Sequence, residues 1–122
     1  MEYRRLGKTG WEISTVSLGT WQVGGRWGEP FDHDNADRIL RQAIDSGINF
    51  IDTAEAYGTE GLVGKAIQEI TRDSVVISTK KSTWGDHPLT PDDVRTSLEA
   101  SLQRLGTDYV DIYHLHGVPL EQ

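Results

Sequence analysis

Short apolar runs alternate with longer amphipathic ones along this chain, and the alternation predicts the order of its elements. Thr15 to Trp21 (TVSLGTW) reads as a strand that stops at Gly24-Gly25, followed by a polar loop through Arg26, Gly28 and Pro30. Asp34 is the expected N-cap of a helix with Ala36, Ile39, Leu40, Ala43 and Ile44 on one side and Gly47 as its stop. Asn49 to Ala54 (NFIDTA) predicts a second strand. Glu60 to Ile70 predicts a second helix, with Leu62, Val63, Ala66, Ile67 and Ile70 on one face, and Val75 to Lys80 (VVISTK) a third strand. The third helix has the clearest start: Thr90-Pro91-Asp92-Asp93 combines a Thr cap, Pro at the first helical position and two carboxylates in the first turn. Val94, Leu98, Leu102 and Leu105 then recur on one face, Gly106 ends the helix, and Tyr109 to His116 (YVDIYHLH) predicts a fourth strand.

The order β-α-β-α-β-α-β argues for a parallel sheet with right-handed crossovers. The predicted strands begin near residues 16, 49, 75 and 109, so they lie 33, 26 and 34 residues apart. A closed eight-unit barrel uses roughly 31 residues per unit. An open doubly wound sheet has similar spacing, so spacing alone leaves both architectures open. Residues 2–14 are expected to form a hairpin turning at Lys8-Thr9-Gly10, suited to plugging the bottom of a barrel.

Composition narrows the function classes. The chain has 122 residues, enough for one domain and too few for two. Its 12 basic and 19 acidic side chains give a net charge of −7, which disfavours nucleic acid and anionic membrane surfaces as partners. The absence of cysteine excludes a disulfide framework, a Cys-ligated zinc and a thiolate nucleophile. The N-terminus lacks the apolar core of a signal peptide and no run approaches a membrane span, so a soluble cytoplasmic protein is expected. His33 and His87 are expected in loops, without partners at metal spacing, and no metal is assigned. Asp37, Asp45, Glu69, Asp92, Asp93 and Glu99 read as solvated helix faces and caps.

The chemistry gathers where the strands end. Asp52 interrupts an apolar strand and is followed by Glu55 and Tyr57; Lys80 closes the third strand; His114 and His116 close the fourth. In parallel β/α folds the C-terminal strand ends are where sites are built. A Tyr hydroxyl is a weak acid with a free pKa of about 10, and a neighbouring ammonium favours its phenolate. A carboxylate can hold that ammonium in place. An imidazole can orient and polarise a carbonyl. Such a set can protonate a developing alkoxide while another group delivers hydride.

Four runs in order, MEYRRLGKTGWEISTVSLGTW, GINFIDTAEAYG, VVISTK and LTPDDVRTSLEASLQRLGTDYVDIYHLH, make the chain resemble the aldo-keto reductase family over its whole length. The resemblance implies a (β/α)8 TIM-barrel fold of the α/β class, of which the first four strands and three helices are present. Residues 1–122 would form the N-terminal half of that barrel, with the hairpin at 1–14. It implies Tyr57 as proton donor, with Asp52, Lys80 and His116 completing the catalytic set. The family pattern selects Lys80 over the adjacent Lys81, and His116 over His114. It places Gly19, Thr20, Trp21 and Asp52 beside a nicotinamide cofactor, usually NADPH with NADH as the variant, and Trp21, Tyr57 and His116 against a small carbonyl substrate. Trp27 and Trp84 are further candidates for the pocket wall or for loop anchors.

The family's barrel has about twice this length, and its pyrophosphate, adenine and 2′-phosphate contacts come from later strands. No GxGxxG run substitutes for them here. The expectation is therefore a fragment or truncated product of a longer reductase, or half of a pair that closes one barrel by self-association or with a complementary half-barrel. It would be inactive alone. The alternative function is that of a non-catalytic half-barrel serving as a structural, regulatory or assembly subunit.

Overall fold

Residues 1–25 and 30–121 are described in the structure, a computed structural model of the chain; Arg26, Trp27 and Gly28 lie outside them. The chain opens with an antiparallel hairpin of β1 (Tyr3–Arg5) and β2 (Glu12–Ser14), Arg4 facing Ile13. Its connection turns through positive φ at Gly7 and Gly10, a conformation glycine adopts without steric cost. Asn49 clamps the hairpin to the rest of the fold. Its Oδ1 accepts from the Ser14 amide at 2.7 Å, its own amide donates to Ser14 Oγ at 3.1 Å, and its Nδ2 donates to Glu12 O at 2.9 Å. Tyr3 adds a hydrogen bond from its hydroxyl to Gly47 O at 2.8 Å. Gly47 and Asn49 lead into a sheet strand, so the hairpin lies at the end of the sheet where strands begin.

The sheet consists of β3 (Leu18–Gly19), β4 (Phe50–Asp52), β5 (Val76–Ser82) and β6 (Ile112–His116), parallel and side by side in chain order. The register aligns Gly19 with Asp52, Asp52 with Ser78, Lys80 with His114 and Ser82 with His116. Side chains alternate between faces along a strand. One face therefore carries Asp52, Ser78, Lys80, His114 and His116, and the other carries Ile51, Ile77, Thr79, Lys81 and Tyr113.

Three helices, α1 (His33–Asp45), α2 (Glu60–Ile67) and α3 (Pro91–Leu105), cover the second face. Leu40, Ile51, Val63, Ala66, Ile67, Val75, Ile77 and Leu105 form the core between them and the sheet. Leu40, Ile51, Ile77 and Leu105 expose no surface, and burying each contributes about 1.5–3 kcal/mol. The capping box at Thr90 is formed: Asp93 N donates to Thr90 Oγ1 at 3.2 Å and Thr90 N to Asp93 Oδ2 at 2.8 Å. Gly106 ends the helix at φ 63°. No helix among the described residues is long and apolar enough to cross a membrane.

Several boundaries differ from the sequence reading, each for a local reason. The cap of α1 is Asp32, whose Oδ1 accepts from Asn35 N at 3.0 Å; Asp34 sits inside the first turn and His33 opens the helix rather than lying in a loop. β3 is only Leu18–Gly19, because Thr20 turns its hydroxyl into a buried bond and a 3₁₀ turn follows at Gln22–Gly24. α2 stops at Ile67 and not Ile70, tightening into short turns. β5 continues past Lys80 to Ser82. β6 starts at Ile112 and not Tyr109. Just before it, Arg72 takes Tyr109 O at 2.9 Å and Asp111 Oδ2 at 3.1 Å, and the Asp111 carboxylate accepts from Ile77 N at 2.8 Å in place of a strand carbonyl. Asp37 is not merely solvated: it pairs with Arg41 at 2.7 Å on the α1 surface.

Candidate active site

The strand alternation that buries Ile51 and Ile77 turns Asp52 and Lys80 to the opposite face. Lys80 there uses all three of its ammonium donors. Nζ donates to Asp52 Oδ1 at 2.8 Å, to Asp52 Oδ2 at 2.7 Å and to Thr53 O at 2.8 Å. With the Lys80 side chain only 14% exposed, this satisfied pair keeps a buried charge from standing alone.

Tyr57 arrives on a single 3₁₀ turn, Glu55–Tyr57, that leaves the end of β4 and closes at Gly58 with φ 72°. Its ring centre lies 5.1 Å from Lys80 Nζ, within cation–π range. Its ring meets that of His116 edge-on, centroids 5.9 Å apart at 90°. The structure thus brings Asp52, Tyr57, Lys80 and His116 to one end of the sheet. His116 is half-buried and also touches Trp84, ring centroids 5.0 Å apart. Its Nδ1 is buried without a hydrogen-bond partner among the described residues, so ring packing holds it. His114 shares the His116 face but is exposed, two residues earlier on β6 and opposite Lys80. Trp84 is 59% exposed and lies over Gly117, where an added Cβ would meet its ring at 3.0 Å.

The remaining sequence candidates sit around this cluster. Gly19 pairs with Asp52, and a Cβ built on it would meet nothing within 4 Å, leaving open space beside the carboxylate. Trp21 is half-buried. Thr20 is buried, its hydroxyl shared with Asp52 O at 3.1 Å and Thr59 Oγ1 at 2.9 Å; Thr53 Oγ1 reaches Thr59 Oγ1 at 3.2 Å. This hydroxyl chain ties the ends of β3 and β4 to the start of α2. Trp27 lies outside the described residues.

Two carboxylates behind the cluster were not assigned from sequence. Glu60 is 1% exposed and accepts from Thr79 Oγ1 at 2.7 Å and Arg104 Nε at 2.9 Å, linking α2, β5 and α3. Glu55 accepts from Ser82 N at 2.8 Å and Lys81 Nζ at 3.1 Å. Burial pushes the Glu55 carboxyl up, but the Ser82 amide and the Lys81 ammonium outweigh it and hold it below the usual carboxylate range. Both glutamates flank Tyr113, whose buried hydroxyl has no partner among the described residues. Burial first, then the charges of Glu55 and Glu60, push the Tyr113 phenol up to about 12 from 10.0. The folded state therefore keeps a proton that the unfolded chain loses, so stability should fall as pH rises between those two values. Tyr113→Phe should flatten that alkaline limb in urea titrations while leaving neutral-pH stability equal or higher. An unchanged alkaline slope would show that another group sets it.

A parallel sheet backed by helices, with an Asp–Lys pair, a tyrosine and a histidine at the strands' C-terminal end, is the architecture of part of a (β/α)8 barrel. The chain belongs to the aldo/keto reductase family, whose model matches residues 15–121. It is 41% identical to aldo-keto reductase YhdN of Bacillus subtilis, the match covering 100% of this chain and 41% of that protein. It is 37% identical to the NADH-specific methylglyoxal reductase of Escherichia coli over 91% of this chain and 40% of that protein. The crystal structure of the thermostable aldo-keto reductase Tm1743 superposes with a TM-score of 0.86 at 41% identity, over 100% of this chain and 45% of that one. The chain thus spans about two fifths of the length of these relatives.

Proposed function

We propose that the chain is the proton-transfer part of a barrel that reduces aldehydes or ketones to alcohols with a reduced nicotinamide cofactor. The observation that carries the reading is the contact series Asp52–Lys80–Tyr57–His116 at one sheet end. A nicotinamide held there would supply the hydride. Tyr57 supplies the proton to the carbonyl oxygen. The Lys80 charge beside its ring favours the phenolate left behind, and Asp52 holds Lys80 in place. His116 orients the carbonyl from the other side of Tyr57, and Trp84 and Trp21 wall the approach.

The residues present fit one end of such a cofactor. The bare strand surface at Gly19 beside Asp52 suits a flat ring, with Trp21 following and Thr20 holding Asp52 from behind. The sequence has no GxGxxG run of the kind that cradles a dinucleotide's pyrophosphate. The completed barrel would use NADPH, or NADH in its place.

The test is a titration of NADPH and NADH against the purified chain, read by cofactor fluorescence and followed by an aldehyde assay. Little binding by the chain alone, restored on adding the fourth helix and the last four β/α units of a relative, is the expected result. Turnover by the chain alone would overturn this account of the cofactor site. Absence of turnover in the completed barrel would overturn the catalytic reading itself.

A further inference from the structure

Lys80 and Lys81 are neighbours on opposite faces of β5, and each holds a carboxylate from the stretch that runs from the last residue of β4 towards α2. Lys80 takes Asp52 and Thr53 O at the start of that stretch. Lys81 takes Glu55, the residue that opens the turn carrying Tyr57. The second contact is more than an ion pair. β4 ends at Asp52, and just beyond it Thr53 N still donates to Ser78 O at 2.8 Å. β5 runs four residues further, and the Ser82 amide donates to Glu55 Oε1 at 2.8 Å. A side-chain oxygen thus takes the place of a strand carbonyl. The Glu55 and Lys81 side chains are 18% and 16% exposed, so water competes weakly for these bonds. Ser82 is also the residue aligned with His116 in the β5–β6 register. Tyr57, Glu55, Ser82 and His116 therefore form a continuous path, at whose two ends the Tyr57 and His116 rings meet.

We propose that Glu55 is a positioning residue for Tyr57, setting its separation from His116 by extending the pairing of β5 with a side-chain oxygen. The catalytic meaning of that separation rests on Tyr57 being the proton donor; the placement itself does not. What matters is the reach of the oxygen to the Ser82 amide, and the charge is secondary. Glu55→Gln keeps an oxygen at the same reach. Glu55→Asp keeps the charge but withdraws the oxygen by one methylene. Glu55→Ala removes both.

The experiment is nuclear magnetic resonance on the full 122-residue chain. It reads ring-to-ring cross-peaks between Tyr57 and His116, with the methyl signals of Leu40, Ile51 and Ile77 reporting the fold. The expected result is loss of the Tyr57–His116 cross-peaks in the Asp and Ala variants, with core methyl signals in place, and their retention in the Gln variant. If the Ala variant does not fold, the Asp variant carries the comparison. Cross-peaks kept in the Asp variant, or lost in the Gln variant, overturn the proposal. Turnover is not read here. A completed barrel in which Tyr57→Phe kept full activity would remove the acid role and leave this placement standing.

Discussion

Tyr57→Phe in a completed barrel is expected to lower carbonyl turnover by about 100- to 10,000-fold, the range a positioned general acid contributes. Cofactor binding should be unchanged. The substitution removes one hydroxyl and keeps the ring. The edge contact with His116 and the position over Lys80 Nζ both belong to that ring and are kept in the variant. The loss should fall on kcat and on kcat/KM alike, because the proton moves only in the transition state. Steady-state assays beside a cofactor-fluorescence titration separate the two effects. Retained turnover would remove Tyr57 as the donor, whatever its placement.

Gly64→Ala should destabilise the chain by about 3 kcal/mol, the upper part of the range for overpacking a close-fitting interior. Gly64 lies in α2 where α3 crosses it. A Cβ there would come within 2.5 Å of Arg104 O and 2.8 Å of Leu105 C and O. These are backbone atoms, so no flexible side chain can swing aside and the helices must separate. Separation also pulls on Glu60, which joins α2 to Thr79 and Arg104. Against a typical total of about 5–15 kcal/mol, this is a large fraction. The control is Gly61→Ala in the same helix, where a Cβ would meet nothing within 4 Å. That change should stabilise by roughly 0.5–1 kcal/mol through reduced backbone entropy. Urea midpoints should therefore move in opposite directions. Equal midpoints would mean that α2 and α3 separate more easily than their packing indicates.

The sequence made the element order legible because apolar spacing and caps are local signals. Thr90, Pro91, Asp93 and Gly106 mark α3 at both ends without reference to the rest of the chain. The four candidate residues were legible partly as ionisable groups at strand ends and partly through the family pattern, which alone selected Lys80 over Lys81 and His116 over His114. In the structure Lys81 faces Glu55 on the helix side, and His114 stands exposed beside Lys80. Element ends were less legible where a side chain substitutes for a backbone partner. Asp111 ends its loop by accepting from Ile77 N, and Glu55 does the same for Ser82 N, bonds between residues 34 and 27 positions apart. Asp111 did carry a signal of the kind that marked Asp52, a carboxylate inside an apolar run. Glu60 carried none, because an acidic residue in the first turn of a helix is ordinary, and only the tertiary fold shows it enclosed by Thr79 and Arg104.

The sheet order β3-β4-β5-β6 follows the order of the chain, and every strand's partner is the next one made. Such a topology suits assembly during synthesis. Each new strand and its helix can dock on a finished edge, with no wait for a distant segment. Asp52 is placed first, Lys80 closes on it when β5 docks, and His116 reaches Tyr57 as β6 adds to the edge. The cluster can thus form while the last strands of a longer reductase are still being made. The remainder of such a protein would close over a preassembled cluster of Asp52, Lys80, Tyr57 and His116.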